Sequence, residues 1–167
     1  MKKIVAFGAS SSTKSINKRF SVYASNQFNG VDKLILDLND FEMPIYSQDK
    51  ENEFGIPKEA LKFYNILKES DGIIISFAEH NGSYTAAFKN IYDWISVIEN
   101  DVWCSKPILL LSTSTGARGG RTVLESAHDR FSRNYKYIIP YFSFYHAALF
   151  RCCPAPFVGR PKGRAST

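Results

Sequence analysis

The chain's first candidate site is a run of small polar residues that follows its first short apolar run. Residues 8–17 read G-A-S-S-S-T-K-S-I-N and lead into a stretch of moderate helical character. The start of a helix attracts anions, because its unpaired N–H groups and the positive end of its dipole face the same point. The candidate anion contacts are Ser10, Ser12, Lys14, Ser15, Ile16 and Asn17.

This run favours a single phosphate monoester over a pyrophosphate. Its serines and Asn17 offer hydrogen-bond donors without adding negative charge. It lacks both the G-x-x-x-x-G-K-[ST] pattern of nucleotide triphosphatases and the G-x-G-x-x-G pattern of dinucleotide folds. An ordinary serine-capped helix remains the alternative interpretation of these residues alone.

Two further polar stretches follow apolar runs in the same way. Residues 77–84 read F-A-E-H-N-G-S-Y, and residues 112–121 read S-T-S-T-G-A-R-G-G-R. Glycines in the second of these stretches allow close approach of the backbone to a planar ring. The candidate contacts are Ala78, Glu79, His80, Asn81 and Gly82 in one stretch, and Ser114, Thr115 and Gly116 in the other.

Alternating apolar and amphipathic segments must position these stretches. We predict strands at 4–7, 34–36, 73–75, 107–111 and 137–139, helices at 15–28, 58–69, 85–98 and 121–131, and a long loop at 39–57. This alternation favours an α/β fold with a parallel sheet. Ligands bind such a sheet at the carboxyl ends of its strands, so the three polar loops are expected to converge on one site.

The second stretch and the helix after it carry a family resemblance. Residues 78–94 are similar to the P-E-Y-N-x-S-x-P-x-x-L-K-N-x-x-D-W signature of NADPH-dependent FMN reductases. The matching positions are Glu79, Asn81, Ser83, Lys89, Asn90, Asp93 and Trp94, and the departures are Ala78, His80, Thr85 and Phe88. Residues 112–121 resemble the S-x-G-x-x-G-G turn of the same family. The resemblance runs from Lys3 to about Phe142.

The resemblance implies a flavodoxin-like, doubly wound, five-stranded parallel sheet with FMN bound across the three loops. The second loop would lie against the isoalloxazine ring, where His80 keeps a planar side chain, and Ser114 and Thr115 would face the pyrimidine edge. Arg118 and Arg121 would meet an incoming nicotinamide nucleotide, although solvent exposure explains them equally well. For Tyr92, Asp93 and Trp94 we favour a buried helix face or a dimer contact over a catalytic role.

The implied activity is hydride transfer from NADPH or NADH through FMN to a small acceptor such as a quinone, a flavin or an azo compound. The flavin carries this chemistry, so no catalytic side chain is assigned. A flavodoxin-type electron carrier is the alternative. Flavodoxins usually have a T-x-T-G-x-T phosphate loop and an acidic surface, and this chain has neither.

The charge distribution divides the chain into a body and a tail. Arg151, Arg160, Lys162 and Arg164 supply four of the five net positive charges, which leaves a near-neutral body over residues 1–150. We expect no nucleic-acid partner, because such binding needs basic residues clustered on one face. The predicted domains are a flavodoxin-like FMN-binding domain at 1–150 and an irregular, basic, proline-rich tail at 151–167. A last helix over the sheet is expected to be missing or replaced.

The remaining expectations concern assembly and location. Cys104, Cys152 and Cys153 show neither a disulfide framework nor zinc-ligand spacing, so no metal is predicted. The apolar runs are too short to cross a bilayer, and the start of the chain does not resemble a signal peptide. We therefore expect a cytoplasmic protein without membrane contact. A poorly covered sheet would favour a homo-oligomer, either a dimer or a tetramer.

Overall fold

The computed structural model describes residues 1–133 and, as backbone, residues 138–145. The strands are β1 Lys2–Ala9, β2 Val31–Leu36, β3 Gly72–Phe77, β4 Ile108–Ser114 and β5 Ile138–Tyr145. The helices are α1 Ile16–Ser25, α2 Gln48–Phe54, α3 Lys58–Lys68, α4 Ala86–Ser96 and α5 Arg121–Ser132. None of the helices that these residues form has the length and apolarity needed to cross a bilayer. The predicted tail and the question of a last helix lie outside the described residues.

The strands form one sheet in the order β2-β1-β3-β4-β5, with every neighbouring pair parallel. The chain moves outward from β1 to β2 and then crosses back to β3, so the direction of winding reverses between β1 and β3. This reversal leaves a crevice at the carboxyl ends of the two strands, where ligands bind in folds of this kind. The predicted parallel α/β sheet is confirmed over β1 to β4, and it places the three polar loops at one edge.

Both faces of the sheet are covered, which explains why β3 is apolar along nearly its whole length. One face packs Phe7 and Ile75 against side chains of α3, α4 and α5, including Phe63, whose ring meets that of Phe7 edge-on at 5.5 Å. The other face packs Ala6 and Ile74 against α1. The side chains of neighbouring residues in one strand therefore lie on opposite faces of the sheet, as the two-residue period of a strand requires.

The segment predicted as a loop at 39–57 contains two helical elements. A 3₁₀ turn spans Leu38–Phe41, and α2 follows it. The side chain of Ser47 caps α2 by accepting the Lys50 N–H at 3.2 Å, and Gly55 ends it at a φ of 73°. No residue of α2 is buried. Apolar periodicity therefore gives no sign of this helix, and only its capping residues do.

Candidate functional site

The first polar loop leads into the start of α1, and two of its hydroxyl groups accept backbone N–H bonds. Ser15 caps the helix by accepting the Lys18 N–H at 3.1 Å, and the Ser10 hydroxyl accepts the Ser12 N–H at 3.1 Å. Both of these serines are 7% exposed, whereas Ser12 and Lys14 are exposed. No acidic residue lies in the first turn of α1. The loop therefore places hydroxyl groups and one lysine at a helix start without an acidic first turn, and anion binding there stays a prediction.

Gly8 allows this helix start to lie against the end of β1. A Cβ atom at Gly8 would lie 2.3 Å from the Lys18 backbone nitrogen and 2.6 Å from the Lys18 Cα. Backbone atoms cannot move aside as the end of a flexible side chain can, so any other residue would push α1 away. Gly8 was not among the predicted site residues, although its position at the end of the first apolar run marks it.

The side chain of Asn17 makes contacts within the sheet that the sequence did not predict. It is 3% exposed and lies between strand ends, where its Nδ2 donates to the Thr113 carbonyl at 2.9 Å. Its Oδ1 accepts from the Ser76 hydroxyl at 2.8 Å and from the Thr113 N–H at 3.0 Å. The Oδ1 and one of the two Nδ2–H groups are therefore used within the sheet, and a phosphate contact of this side chain stays a prediction. The backbone N–H of Asn17 remains a candidate contact.

The second polar loop forms a tight hairpin turn. His80 and Ser83 exchange backbone hydrogen bonds of 3.0 and 3.1 Å across Asn81 and Gly82. These two central residues have φ angles of 53° and 75°, as in a type I′ turn, which asparagine and glycine favour. His80, Asn81 and Gly82 are exposed on this turn. The turn thus presents three of the five candidate ring contacts of this loop to solvent, whereas Ala78 and Glu79 are half-buried.

Glu79 joins the second loop to the third. Its carboxylate accepts the Val123 N–H at 3.0 Å, in the first turn of α5. The N-cap of α5 is Gly120, which has no side chain to cap the helix. A carboxylate at a helix start satisfies an orphan N–H and interacts favourably with the dipole. Glu79 therefore acts as the missing cap of α5, supplied from a neighbouring loop.

The third loop is compact around Ser112 and two buried glycines. The Ser112 hydroxyl donates to the Gly119 carbonyl at 3.1 Å. Gly120 has a φ of 78°, and a Cβ there would come within 3.1 Å of the Ser112 Cβ. Among the predicted ring contacts of this loop, Ser114 is half-buried, and Thr115 and Gly116 are exposed.

The two arginines near this loop are both exposed. Arg121 contacts Glu125 one turn further along α5, with an Nε–Oε1 distance of 2.7 Å. This pairing accounts for Arg121 without a nucleotide. From the sequence, both arginines could be either solvent-exposed residues or nucleotide contacts. The ion pair with Glu125 supports the exposed interpretation for Arg121.

Three buried or half-buried side chains link the loops pairwise. Thr85 donates to the Ala9 carbonyl at 3.0 Å and so connects the second loop to the first, while it also caps α4. Asn17 connects the first loop to the third, and Glu79 connects the second to the third. The three predicted loops therefore form one interlinked edge of the sheet. Thr85, Ser76 and Thr113 were absent from the predicted set, since no short motif marks a residue that binds a neighbouring loop.

Residues of α4 within the signature bind the segment that follows β2. The Trp94 indole N–H donates to the Pro44 carbonyl at 2.7 Å, and Asn90 Oδ1 accepts the Tyr46 N–H at 2.8 Å. Lys89 and Asp93 pair with each other along α4. Trp94 is 1% exposed, which confirms the preference for a buried helix face at this position. These residues hold the segment after β2 in place.

A cavity of about 330 Å³, which was not predicted from the sequence, lies between this segment and α4. Ser11 of the first loop forms part of its lining. The rest of the lining consists of Leu38, Asn39, Phe41, Glu42, Met43, Ile45, Ala86, Ala87, Asn90 and Ile91. The cavity has mixed polarity, with one carboxylate and no basic residue.

Two pKa shifts describe the electrostatics near the loops. Burial raises the pKa of Tyr84 to about 12, so this phenol stays neutral at ordinary pH. The hydrogen bond from the Lys18 ammonium lowers the pKa of Asp37 below its usual value of 3.8. Within residues 1–133, no group of three or more His, Cys, Asp or Glu side chains is placed to hold a metal ion.

Known proteins resemble this chain both in sequence and in structure. A quinone reductase of Escherichia coli (strain K12) is 30% identical over 79 residues, which cover 47% of this chain and 42% of the relative. A 2-hydroxy-1,4-benzoquinone reductase of a Burkholderia species is 36% identical over 89 residues, which cover 53% of this chain and 46% of the relative. The chain thus aligns with less than half the length of these two relatives.

Among solved structures, the flavoenzyme NAD(P)H:(acceptor) oxidoreductase FerB from Paracoccus denitrificans superposes with a TM-score of 0.68. It is 21% identical, and the match covers 84% of this chain and 76% of that one. This likeness supports the flavodoxin-like fold. The model of the NADPH-dependent FMN reductase family matches residues 2–147. The chain therefore belongs to the NADPH-dependent FMN reductase family.

Proposed function

We propose that this chain binds FMN across its three interlinked loops and transfers hydride from NADPH or NADH to a small electron acceptor. The observation that carries the proposal is the linkage of a helix start suited to phosphate with two loops suited to a planar ring. Quinones, azo compounds and flavins are the proposed acceptor classes. Family membership and the names of the quinone reductase relatives support this choice.

The first loop fits the phosphate of FMN. Ser10, Ser12, Ser15 and Lys14 would supply side-chain donors, and the Ile16 and Asn17 N–H groups would supply backbone donors at the positive end of α1. No carboxylate lies within residues 8–17 to repel a dianion. The exposed side chains here can turn toward the ligand without leaving a buried bond unmade.

The other two loops fit the flavin ring. The backbone of residues 78–82 and of residues 114–116 would line it, with Gly82 and Gly116 offering no side chain that blocks close approach. Backbone N–H groups and the hydroxyls of Ser114 and Thr115 would donate to the pyrimidine edge. Such fixed donors stabilise negative charge that develops there during reduction.

The chemistry of the reaction needs few protein groups. When bound, FMN supplies hydride acceptance and donation. The residues of this chain would orient the flavin. Glu79 fixes the second loop against α5, and Thr85 fixes the same loop against the first loop. Tyr84, which follows the turn, is half-buried, and its raised pKa keeps the phenol neutral, so it supplies neither a base nor a charge at ordinary pH. We assign no catalytic acid or base.

We further propose that residues 1–150 form the FMN-binding domain, that the protein is cytoplasmic, and that it assembles as a dimer or tetramer. An apolar groove of about 200 Å³ at the amino ends of β1, β3 and β4 supports self-association. Light scattering coupled to size exclusion measures the oligomeric state directly. A monomer at micromolar concentration would contradict the assembly but not the activity.

A spectrum of the purified protein tests the activity. We expect a flavin absorbance band, one FMN released per chain, and bleaching of the band by NADPH or NADH without oxygen. Addition of a benzoquinone should then restore the band. FMN binding without reduction by either nucleotide would instead indicate a flavodoxin-type carrier. Failure to bind added FMN in a fluorescence titration would contradict the proposal altogether.

A further inference from the structure

The buried amide of Asn17 continues the sheet one residue beyond the end of β3. The pairing of β3 with β4 ends at Phe77 and Ser112. At the next residue of β4, the Thr113 N–H and carbonyl both bond to the Asn17 side chain, at 3.0 and 2.9 Å. An asparagine amide can make both bonds at once, because it carries an acceptor and a donor in one plane.

The same side chain belongs to the first turn of the helix that faces the proposed phosphate. Asn17 follows the N-cap Ser15 by two residues, and Ser76 of β3 donates a third hydrogen bond to its Oδ1 at 2.8 Å. Asn17 and Ser76 are 3% and 0% exposed, so neither contacts solvent appreciably. This buried amide, with three hydrogen bonds, thus ties the start of α1 to the strand that leads into Ser114 and Thr115.

We propose that Asn17 is a positioning residue that fixes the distance between the phosphate loop and the ring loop after β4. This inference rests on the proposed function, since it concerns how FMN engages both loops. A ligand that binds two sites at once gains affinity only when the sites are held at the spacing of its two ends. Asn17 therefore favours a ligand whose phosphate and ring are joined by a chain of one length.

Three ligands separate this role from direct contact. FMN engages both loops, riboflavin engages only the ring loops, and inorganic phosphate engages only the first loop. We expect Asn17→Ala to weaken the affinity for FMN by roughly ten- to a hundredfold, as for loss of a buried hydrogen-bonded group. The affinities for riboflavin and for phosphate should each fall by less than about threefold, because each half-site persists. Fluorescence titration measures the two flavins, and competition with FMN measures phosphate.

Ser76→Ala provides a second variant, at a residue that is not itself a proposed ligand contact. It removes only the bond to Asn17 Oδ1, so we expect the same pattern at roughly three- to tenfold for FMN. Ser70→Ala is the matched control: Ser70 is also buried, at 1% exposure, but its hydroxyl bonds to Leu67 at the end of α3. This control should leave all three affinities unchanged.

Each other outcome has a definite meaning. Equal losses for FMN and phosphate in Asn17→Ala would show direct phosphate contact, and equal losses for FMN and riboflavin would show local support of the ring loop. Either result overturns the positioning role while the proposed function stands. If Asn17→Ala does not fold, the Ser76→Ala pattern decides the question alone. A wild-type chain that binds no FMN would overturn the proposed function itself, which is a distinguishable failure.

Discussion

The two ends of the same parallel strands differ in chemistry. At the carboxyl ends, buried polar side chains such as Ser76, Ser112 and Thr85 bond to neighbouring loops. At the amino ends, the contacts include backbone bonds, an exposed carboxylate bond to Lys3, and an apolar groove that includes Ile4 and Leu109. Buried polar groups lower stability unless each is bonded, so they are found where they hold something in place.

The amino ends illustrate the simpler arrangement. Asp71 and Lys3 exchange bonds of 2.8 Å that involve both backbone N–H groups, and the Ile73 N–H donates to the Pro107 carbonyl at 3.0 Å. These contacts align strands without positioning a ligand. Contacts along the whole sheet therefore contribute to the free energy of unfolding, whereas the candidate ligand contacts are held in position at the carboxyl edge. Substitutions at the two edges should therefore separate stability from FMN binding.

The largest expected effect comes from Gly8→Ala at the carboxyl edge. The new Cβ would overlap the Lys18 backbone, so α1 must shift and the free energy of unfolding should fall by about 3 kcal/mol. Urea denaturation measures it. Gly116→Ala is the control: its Cβ would meet only the Ser114 hydroxyl at 3.7 Å, and we expect a change within about 0.5 kcal/mol. Equal stability of the two variants would contradict the close packing of α1 on β1.

Leu109→Ala probes the amino edge. Leu109 is half-buried in the groove, and its truncation should lower the free energy of unfolding by about 2 kcal/mol through lost apolar contacts. The FMN affinity of the folded variant should stay unchanged, as measured by fluorescence titration. A parallel loss of FMN affinity would break the proposed separation of the two edges.

Glu79→Ala should remove the cap of α5 and loosen two loops together. We expect a loss of about 1 kcal/mol in the free energy of unfolding, typical of a lost helix cap, together with weaker FMN binding. Glu79→Gln keeps an acceptor oxygen and should recover most of both losses. Glu125→Ala removes an exposed carboxylate from the same helix and serves as the control. If Gln behaves like Ala, the negative charge rather than the hydrogen bond is what matters.

The smallest effect concerns Asp37 and depends on pH. The hydrogen bond from Lys18 lowers the pKa of Asp37 in the folded state, so its stabilisation is present above the unfolded pKa of about 4 and is lost as pH falls through the lower folded value. Asp37→Asn should therefore cost about 1 kcal/mol or less at pH 7 and progressively less below about pH 4. Urea denaturation of both proteins across this range measures the difference. A constant difference down to pH 2 would exclude the ion pair as its source.

Most elements were predictable because apolar periodicity marks them. The helix predicted at 58–69 is observed at Lys58–Lys68, and the one predicted at 121–131 is observed at Arg121–Ser132. The prediction for α1 ran three residues too long, since Asn26, Gln27 and Phe28 follow its last turn. The helix α2 was missed because it buries no residue. Local patterns therefore identify elements that pack against the sheet and overlook those that do not.

The sequence alone determined which loops form the candidate site, because residue type and position after a strand are local properties. Only the tertiary structure decided what several of these residues do. Asn17 has a side chain that can donate to a phosphate, yet its amide bonds to a strand almost a hundred residues away. Glu79 caps a helix that begins over forty residues later. Such roles depend on distances across the sheet. The local sequence around a polar side chain does not identify a partner that is distant in the chain.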